Sequence, residues 1–187
     1  MLRDLIVGPH QISFDITNKC NLRCLHCYNS SGENLASQNE LTDQEVLDFI
    51  DEFKSIKLLN FCFCGGEPLL RKELIVEAAK RLRTYGCENV AMVSNGILMT
   101  DEVIEELINA GVTRIQISLD GIKAESHDRI RNKKGVYEKA TRAIEALVKH
   151  GVDTAVAFTP TSFNISELRA VRDYLHTVGI SGTSLRV

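Results

Sequence analysis

The sequence predicts an α/β fold with parallel strands, and three observations carry that prediction. Six short apolar runs alternate with five amphipathic segments along the 187 residues. The alternation is strict, which joins parallel strands through right-handed crossovers and packs the helices outside. The glycine-rich and polar stretches follow the strands, where ligand loops gather in such folds. Either an open doubly wound sheet or a barrel left incomplete after six strands satisfies all three.

The first strand is Q-I-S-F-D-I-T over 11–17, alternating with period two. A cysteine-rich loop follows. Residues 42–57 then place Val46, Leu47, Ile50 and Phe53 on one helical face, with Thr42 and Glu45 spaced as a capping box. The second strand, L-L-N-F-C-F-C, stops at Gly65-Gly66, and a helix spans about 71–85. The third, E-N-V-A-M-V-S-N-G, leads to a helix over 101–110 with Gly111 at its end. The fourth, T-R-I-Q-I-S-L-D-G, precedes a longer connection and a helix around 137–150. D-T-A-V-A-F-T-P, a helix over about 166–178 and T-S-L-R-V complete the order. The strands, rich in Val, Ile and Phe, read as buried on both faces. Because the chain stops inside the sixth strand, a further C-terminal portion is expected in the natural protein.

Composition narrows the function. Hydrophobic residues at 44% and charged residues at 25% are those of an ordinary globular chain, and its length suits one domain with a sizeable core. A net charge of −3 without a basic run argues against a nucleic-acid partner. The N-terminal apolar stretch is too short for a signal peptide, and no window is long enough to span a membrane. Six cysteines in such a chain point to a reducing, cytoplasmic setting and to metal or redox chemistry rather than disulfides.

Three of them, Cys20, Cys24 and Cys27, fall in K-C-N-L-R-C-L-H-C-Y-N directly after the first strand. Buried structural thiols are one reading, although Asn18, Lys19, Asn21, Arg23 and Asn29 crowd the stretch with polar groups. Structural zinc is a second; it needs four closed ligands, and Cys62 or Cys64 is available as the fourth. A cubane iron–sulfur cluster is the third, with three thiolates and one iron left open to a small molecule. Cys62, Cys64 and Cys87 read as buried thiols, with Cys64 a candidate to line a cavity.

C-x-x-x-C-x-x-C after strand one, with F-x-G-G-E-P-L-L-R, S-N-G and S-L-D-G at the next strand ends, resembles the radical S-adenosylmethionine enzymes, over nearly the whole chain. The resemblance implies a parallel (β/α)6 partial TIM barrel, with 1–187 as the core domain lacking its last helix and a cysteine-rich extension. The nearest branch in pattern carries a C-terminal SPASM or twitch extension and includes peptide maturases and cofactor-biosynthesis enzymes. It implies a [4Fe-4S] cluster on Cys20, Cys24 and Cys27, S-adenosyl-L-methionine on the open iron, and a 5′-deoxyadenosyl radical that abstracts hydrogen. Gly65, Gly66, Glu67 and Pro68 are implied to meet the methionine amino group, with Glu67 an acceptor for the ammonium. Ser94, Asn95, Ser118 and Asp120 suit the ribose and the carboxylate. Arg131 matches an arginine that pairs with that carboxylate, with Arg129 competing. His26, Thr159 and Asn164 are adenine-side candidates. A one-electron donor such as flavodoxin or ferredoxin and a peptide or small-molecule substrate are the implied partners. The competing class is an iron–sulfur or zinc protein with an electron-transfer or scaffolding role, which predicts a closed coordination sphere and no use for G-G-E-P.

Overall fold

A computed structural model describes residues 9–32, 39–56, 58–181 and 184–187. The N-terminal apolar stretch through residue 8, Lys57 at the end of the first helical segment and Thr183 in the last strand lie outside the described residues. Among those described, the chain forms β1 (Gln11–Asp15), α1 (Asp43–Asp51), β2 (Asn60–Cys64), α2 (Lys72–Thr84), β3 (Asn89–Ser94), α3 (Asp101–Ala110) and β4 (Arg114–Ser118). It continues through α4 (Ala124–Arg131), α5 (Val136–Lys149), β5 (Asp153–Ala157), α6 (Leu168–Thr177) and β6 (Leu185–Arg186).

The six strands form one sheet, all parallel, in the order in which they occur along the chain. A doubly wound sheet reverses that order at one point; this sheet never does. With right-handed crossovers every helix then falls on the same face, so the sheet is a sector of a barrel.

Local chemistry explains the helix ends. Thr42 and Glu45 close the expected capping box on α1. Thr100 caps α3, and Gly111, at φ 95°, ends it in the left-handed region. The longer connection after β4 contains α4, a helix of mostly polar residues that buries only His127, Ile130 and Arg131. Asp128, on α4, accepts from the backbone N–H groups of Gly135, Val136 and Tyr137 and so anchors the start of α5.

The strands are not buried on both faces. Phe61 and Phe63 on β2, Val90 and Met92 on β3, and Ile115 and Ile117 on β4 are fully buried under the helices. Their neighbours Cys62, Cys64, Ala91, Val93 and Gln116 face the other way and line a cavity of about 440 Å³. Six strands do not close a barrel, so the inner face stays open and alternates with the outer one. Cys62 and Cys64 are therefore half-buried cavity residues rather than core thiols, whereas Cys87 is buried at 2% exposure. An aromatic cluster knits the outer face to α1: Phe14 stacks on Phe49 at 5.1 Å, and Phe61 meets Phe63 at 4.9 Å.

Candidate active site

The cysteine loop leaves β1 and is tied down from beneath by the turn after β2. Gly66 N donates to Thr17 O at 2.8 Å, and Glu67 N to Lys19 O at 2.9 Å. The contact is so close that glycine is required. A Cβ on Gly65 would stand 2.3 Å from Thr17 O, and one on Gly66 would stand 2.2 Å from Lys19 O. The two glycines thus admit the backbone of the cysteine loop, not a ligand. Within the loop, Arg23 donates to the carbonyls of Cys20 and Leu22, and Ser31 N donates to Cys27 Sγ at 3.4 Å. Glu40 accepts from Thr17 Oγ1 and Asn18 N at the loop entrance.

Glu67 does not present its carboxylate to a ligand. The side chain is fully buried; Oε1 accepts from Ser94 Oγ at 2.9 Å and Leu69 N at 3.2 Å, and Oε2 accepts from Asn95 N at 2.9 Å. Burial pushes its pKa up and these donors oppose the shift. The carboxylate is a clamp between the second and third strand ends, so any acceptor offered to an ammonium group comes from this turn's backbone. Ser94, nearly buried, is likewise turned inward onto Glu67. Pro68 opens the short 3₁₀ turn that follows, where a missing N–H costs nothing. Asn95 links this turn to the cysteine loop, donating from Nδ2 to Asn21 Oδ1 at 2.7 Å.

A second network occupies the ends of β4 and β5. Asp120 is fully buried; Oδ1 accepts from Thr159 N at 2.9 Å, and Oδ2 lies 2.6 Å from Arg131 Nη2 and 3.5 Å from His26 Nε2. The contact with Arg131 is at ion-pair distance but lacks hydrogen-bond alignment, and Oδ2 keeps no hydrogen-bond donor of its own. Arg131 also reaches Cys24 Sγ at 3.7 Å, which joins this network to the cysteine loop. His127, on which the motifs gave no information, is fully buried and accepts Asp120 N at its Nδ1. Burial, aided by Arg131, lowers its pKa to about 4, so it is neutral at pH 7. Burial likewise lowers the pKa of His26.

Asn164 is spoken for. Its Nδ2 donates to Asp120 O and Thr159 O, and its Oδ1 accepts from Thr161, so the buried amide stitches the β5 loop and has nothing left for an adenine. Thr159 is exposed and contributes only backbone groups to this network. Arg129 stacks on Phe163 at 4.1 Å and lies outside the network. Ser118 is half-buried on the same face of β4 as Gln116.

Unpartnered polar atoms mark what is left open. His26 Nδ1, Asp120 Oδ2, His127 Nε2 and Arg131 Nε are buried without a hydrogen-bond partner. Buried polar groups are rarely left so, and these four belong to one network beside Cys24.

Three thiols on one loop are ligands suited to a thiophilic metal or to an iron–sulfur cluster. Cys20, Cys24 and Cys27 are half-buried, and burial raises the pKa of Cys20 and Cys24. Among the described residues, no three thiol, imidazole or carboxylate groups converge on one metal position. A zinc site gathers its sulfurs at ~2.3 Å from one ion. A cubane spreads three thiolates over three irons, which asks for sulfurs set further apart.

A barrel sector with three thiols and unpartnered buried groups at the carboxyl ends of its strands has the form of a cofactor-binding barrel protein. The chain belongs to the Radical SAM superfamily, whose family profile matches residues 14–175. Membership implies S-adenosylmethionine and an iron–sulfur cluster. The chain is 36% identical over 164 residues to an AdoMet-dependent heme synthase of Methanosarcina barkeri, covering 86% of this chain and 45% of that protein. It is 34% identical to the mycofactocin maturase MftC of Mycolicibacterium smegmatis, covering 86% of this chain and 40% of the maturase. It therefore spans less than half the length of these curated relatives. Among solved structures, Streptococcus suis SuiB bound to S-adenosylmethionine superposes with a TM-score of 0.79 at 13% identity, covering 95% of this chain and 40% of SuiB, a likeness of fold. Among the described residues, no helix is long and apolar enough to cross a membrane.

Proposed function

We propose that this chain is the core domain of an enzyme that holds a [4Fe-4S] cluster on Cys20, Cys24 and Cys27 and cleaves S-adenosylmethionine reductively. The bound cluster would supply the electron that breaks the S–C5′ bond, giving a 5′-deoxyadenosyl radical that abstracts hydrogen from substrate. The observation that carries this reading is a set of three half-buried thiols on a loop pinned by Gly66 N and Glu67 N, with Arg131 and its unpartnered Nε beside Cys24.

The chain's own groups hold and orient. The turn at Gly65-Gly66-Glu67-Pro68 offers backbone carbonyls to the methionine ammonium, while the Glu67 carboxylate fixes Ser94 and Asn95 in place. Arg131, beside Cys24, supplies positive charge for the methionine carboxylate, and its unpartnered Nε is the free donor. Asp120 Oδ2 and His26 Nδ1 are the open groups for ribose and adenine, and Ser118 adds a hydroxyl on the cavity side of β4. Thr159 and Asn164 shape the β5 loop around Asp120 rather than touching the ligand. A flavodoxin- or ferredoxin-class protein in the cytoplasm is the electron source. The substrate is a peptide or a cofactor precursor, supported by the maturase and heme synthase relatives.

The test is anaerobic reconstitution of the full-length protein with iron and sulfide, followed by S-adenosylmethionine and dithionite, with 5′-deoxyadenosine as the readout. Wild-type protein is expected to form it and Cys24→Ala to form none. A correctly loaded cluster that yields no 5′-deoxyadenosine would refute the proposal.

A further inference from the structure

Two thiols outside the cysteine loop face the cavity. Cys62 and Cys64 are two residues apart on β2, so strand periodicity turns both to the inner face. Their sulfurs stand 3.5 Å apart, with the Cys64 S–H donating to Cys62 Sγ. Both line the cavity of about 440 Å³, as do Ser13, Ala91, Gln116 and Arg186. Neither takes part in the apolar core, and neither is needed to hold the cysteine loop.

Their position is as specific as their chemistry. Cys64 is the residue directly before Gly65-Gly66-Glu67-Pro68, and in register it pairs with Asp15, the last residue of β1 before the cysteine loop. The pair thus sits inside the barrel immediately below the candidate active-site rim. A disulfide does not suit this strand. It needs sulfurs ~2.05 Å apart and Cβ atoms ~3.8 Å apart, whereas alternate residues of a strand are ~6.6 Å apart with side chains nearly parallel. The geometry keeps the two as separate, hydrogen-bonded thiols. The hydrogen bond to Cys62, with burial, raises the pKa of Cys64, so Cys64 keeps its hydrogen at neutral pH.

An S–H bond is weaker than the C–H bonds of a sugar or an unactivated substrate carbon. Hydrogen transfer from a thiol to such a carbon radical is therefore downhill. We propose that Cys64 is a hydrogen-atom donor to carbon radicals formed in the cavity, with Cys62 as its positioning partner; this rests on the radical reading given above. The step is C• + H–S(Cys64) → C–H + •S(Cys64). One S–H bond breaks homolytically, one C–H bond forms, and no charge moves. Rotation about Cβ–Sγ turns the hydrogen from Cys62 towards the cavity. The thiyl is restored by one electron from the same low-potential one-electron donor and one proton from solvent through the open inner face.

Deuterium tests the assignment without knowledge of the substrate. Thiol hydrogens exchange with D2O and carbon-bound hydrogens do not. Full-length reconstituted protein is given S-adenosylmethionine and dithionite in D2O, and the 5′-deoxyadenosine is weighed by mass spectrometry. Wild type is expected to give largely monodeuterated product. Cys64→Ser, whose O–H bond is too strong to donate, is expected to lower the labelled fraction at least fivefold while the cluster absorbance is unchanged. Independently of turnover, iodoacetamide applied to the reconstituted protein is expected to alkylate Cys62, whose thiolate the Cys64 hydrogen bond favours, and to spare the protonated Cys64 and the buried Cys87. Unlabelled wild-type product, equal labelling in Cys64→Ser, or a Cys62 that resists alkylation would each overturn the assignment. If no 5′-deoxyadenosine forms from loaded protein, the radical reading falls and takes this one with it.

Discussion

The two faces of the sheet differ in almost every physical respect. The outer face carries Phe14, Phe61, Phe63, Met92, Ile115 and Ile117 against the helices, packed to near-zero exposure on β2, β3 and β4. The inner face carries Ser13, Cys62, Cys64, Ala91 and Gln116 around open space. One strand serves both, because alternate side chains point to opposite sides. The difference teaches that stability and chemistry are held apart within each strand: the outer positions supply the burial that holds the fold, which leaves the inner ones free to be chosen for reactivity.

Substitutions on each side should break or sharpen this contrast. Phe61→Ala on the outer face should cost about 4 kcal/mol of unfolding free energy, measured by denaturant titration, because a buried aromatic leaves a cavity behind. A loss under 1 kcal/mol would deny that the outer face carries the stability. At the rim, Asp120→Asn should cost about 3 kcal/mol, since it strands the nearly buried Arg131 without its counter-charge. Stability within 0.5 kcal/mol of wild type would show that the pair is not buried in solution.

His127 gives a pH signature. Its folded pKa of about 4 lies below the usual 6.5, so the unfolded chain binds a proton that the folded one refuses. Stability from this group is complete above pH 6.5 and is lost as pH falls towards 4. Lowering pH from 7 to 5 should cost about 2 kcal/mol through this residue. His127→Gln should flatten that slope in urea melts, and an unchanged slope would refute the assignment. The smallest effect belongs to the inner face: Gln116→Ala should change stability by no more than ~0.5 kcal/mol. A substantial loss would mean that the cavity face is packed after all.

Much of this architecture is legible in the sequence. The alternation of runs, the Thr42–Glu45 cap and the position of every site loop after a strand are local signals, and each survives. The inner face is illegible because cysteine resembles a small hydrophobe in sequence, so N-F-C-F-C passes for a continuous apolar strand. α4 escaped notice because only three of its side chains are buried, one of them a histidine and one an arginine. The roles of Glu67 and Asn164 could not be read at all. Their partners lie as far as 28 and 44 residues away, and only folding decides whether a carboxylate or amide faces a ligand or the chain itself.

The order of the strands bears on how the protein is made. Strands pair in the sequence in which they leave the ribosome, so each new βα unit adds to an edge already formed. Such neighbour-to-neighbour pairing confines each crossover to one βα unit and allows progressive folding from the N-terminus. By the time Asn95 has emerged, the nascent chain holds the turn that pins the cysteine loop from below, while Ile130, whose carbonyl accepts from Leu25 N, is still to come. Asp120 and Arg131 arrive later, and with them the buried charges beside Cys24. A nascent chain halted between those points would carry a thiol loop anchored on one side only, before its polar surroundings exist.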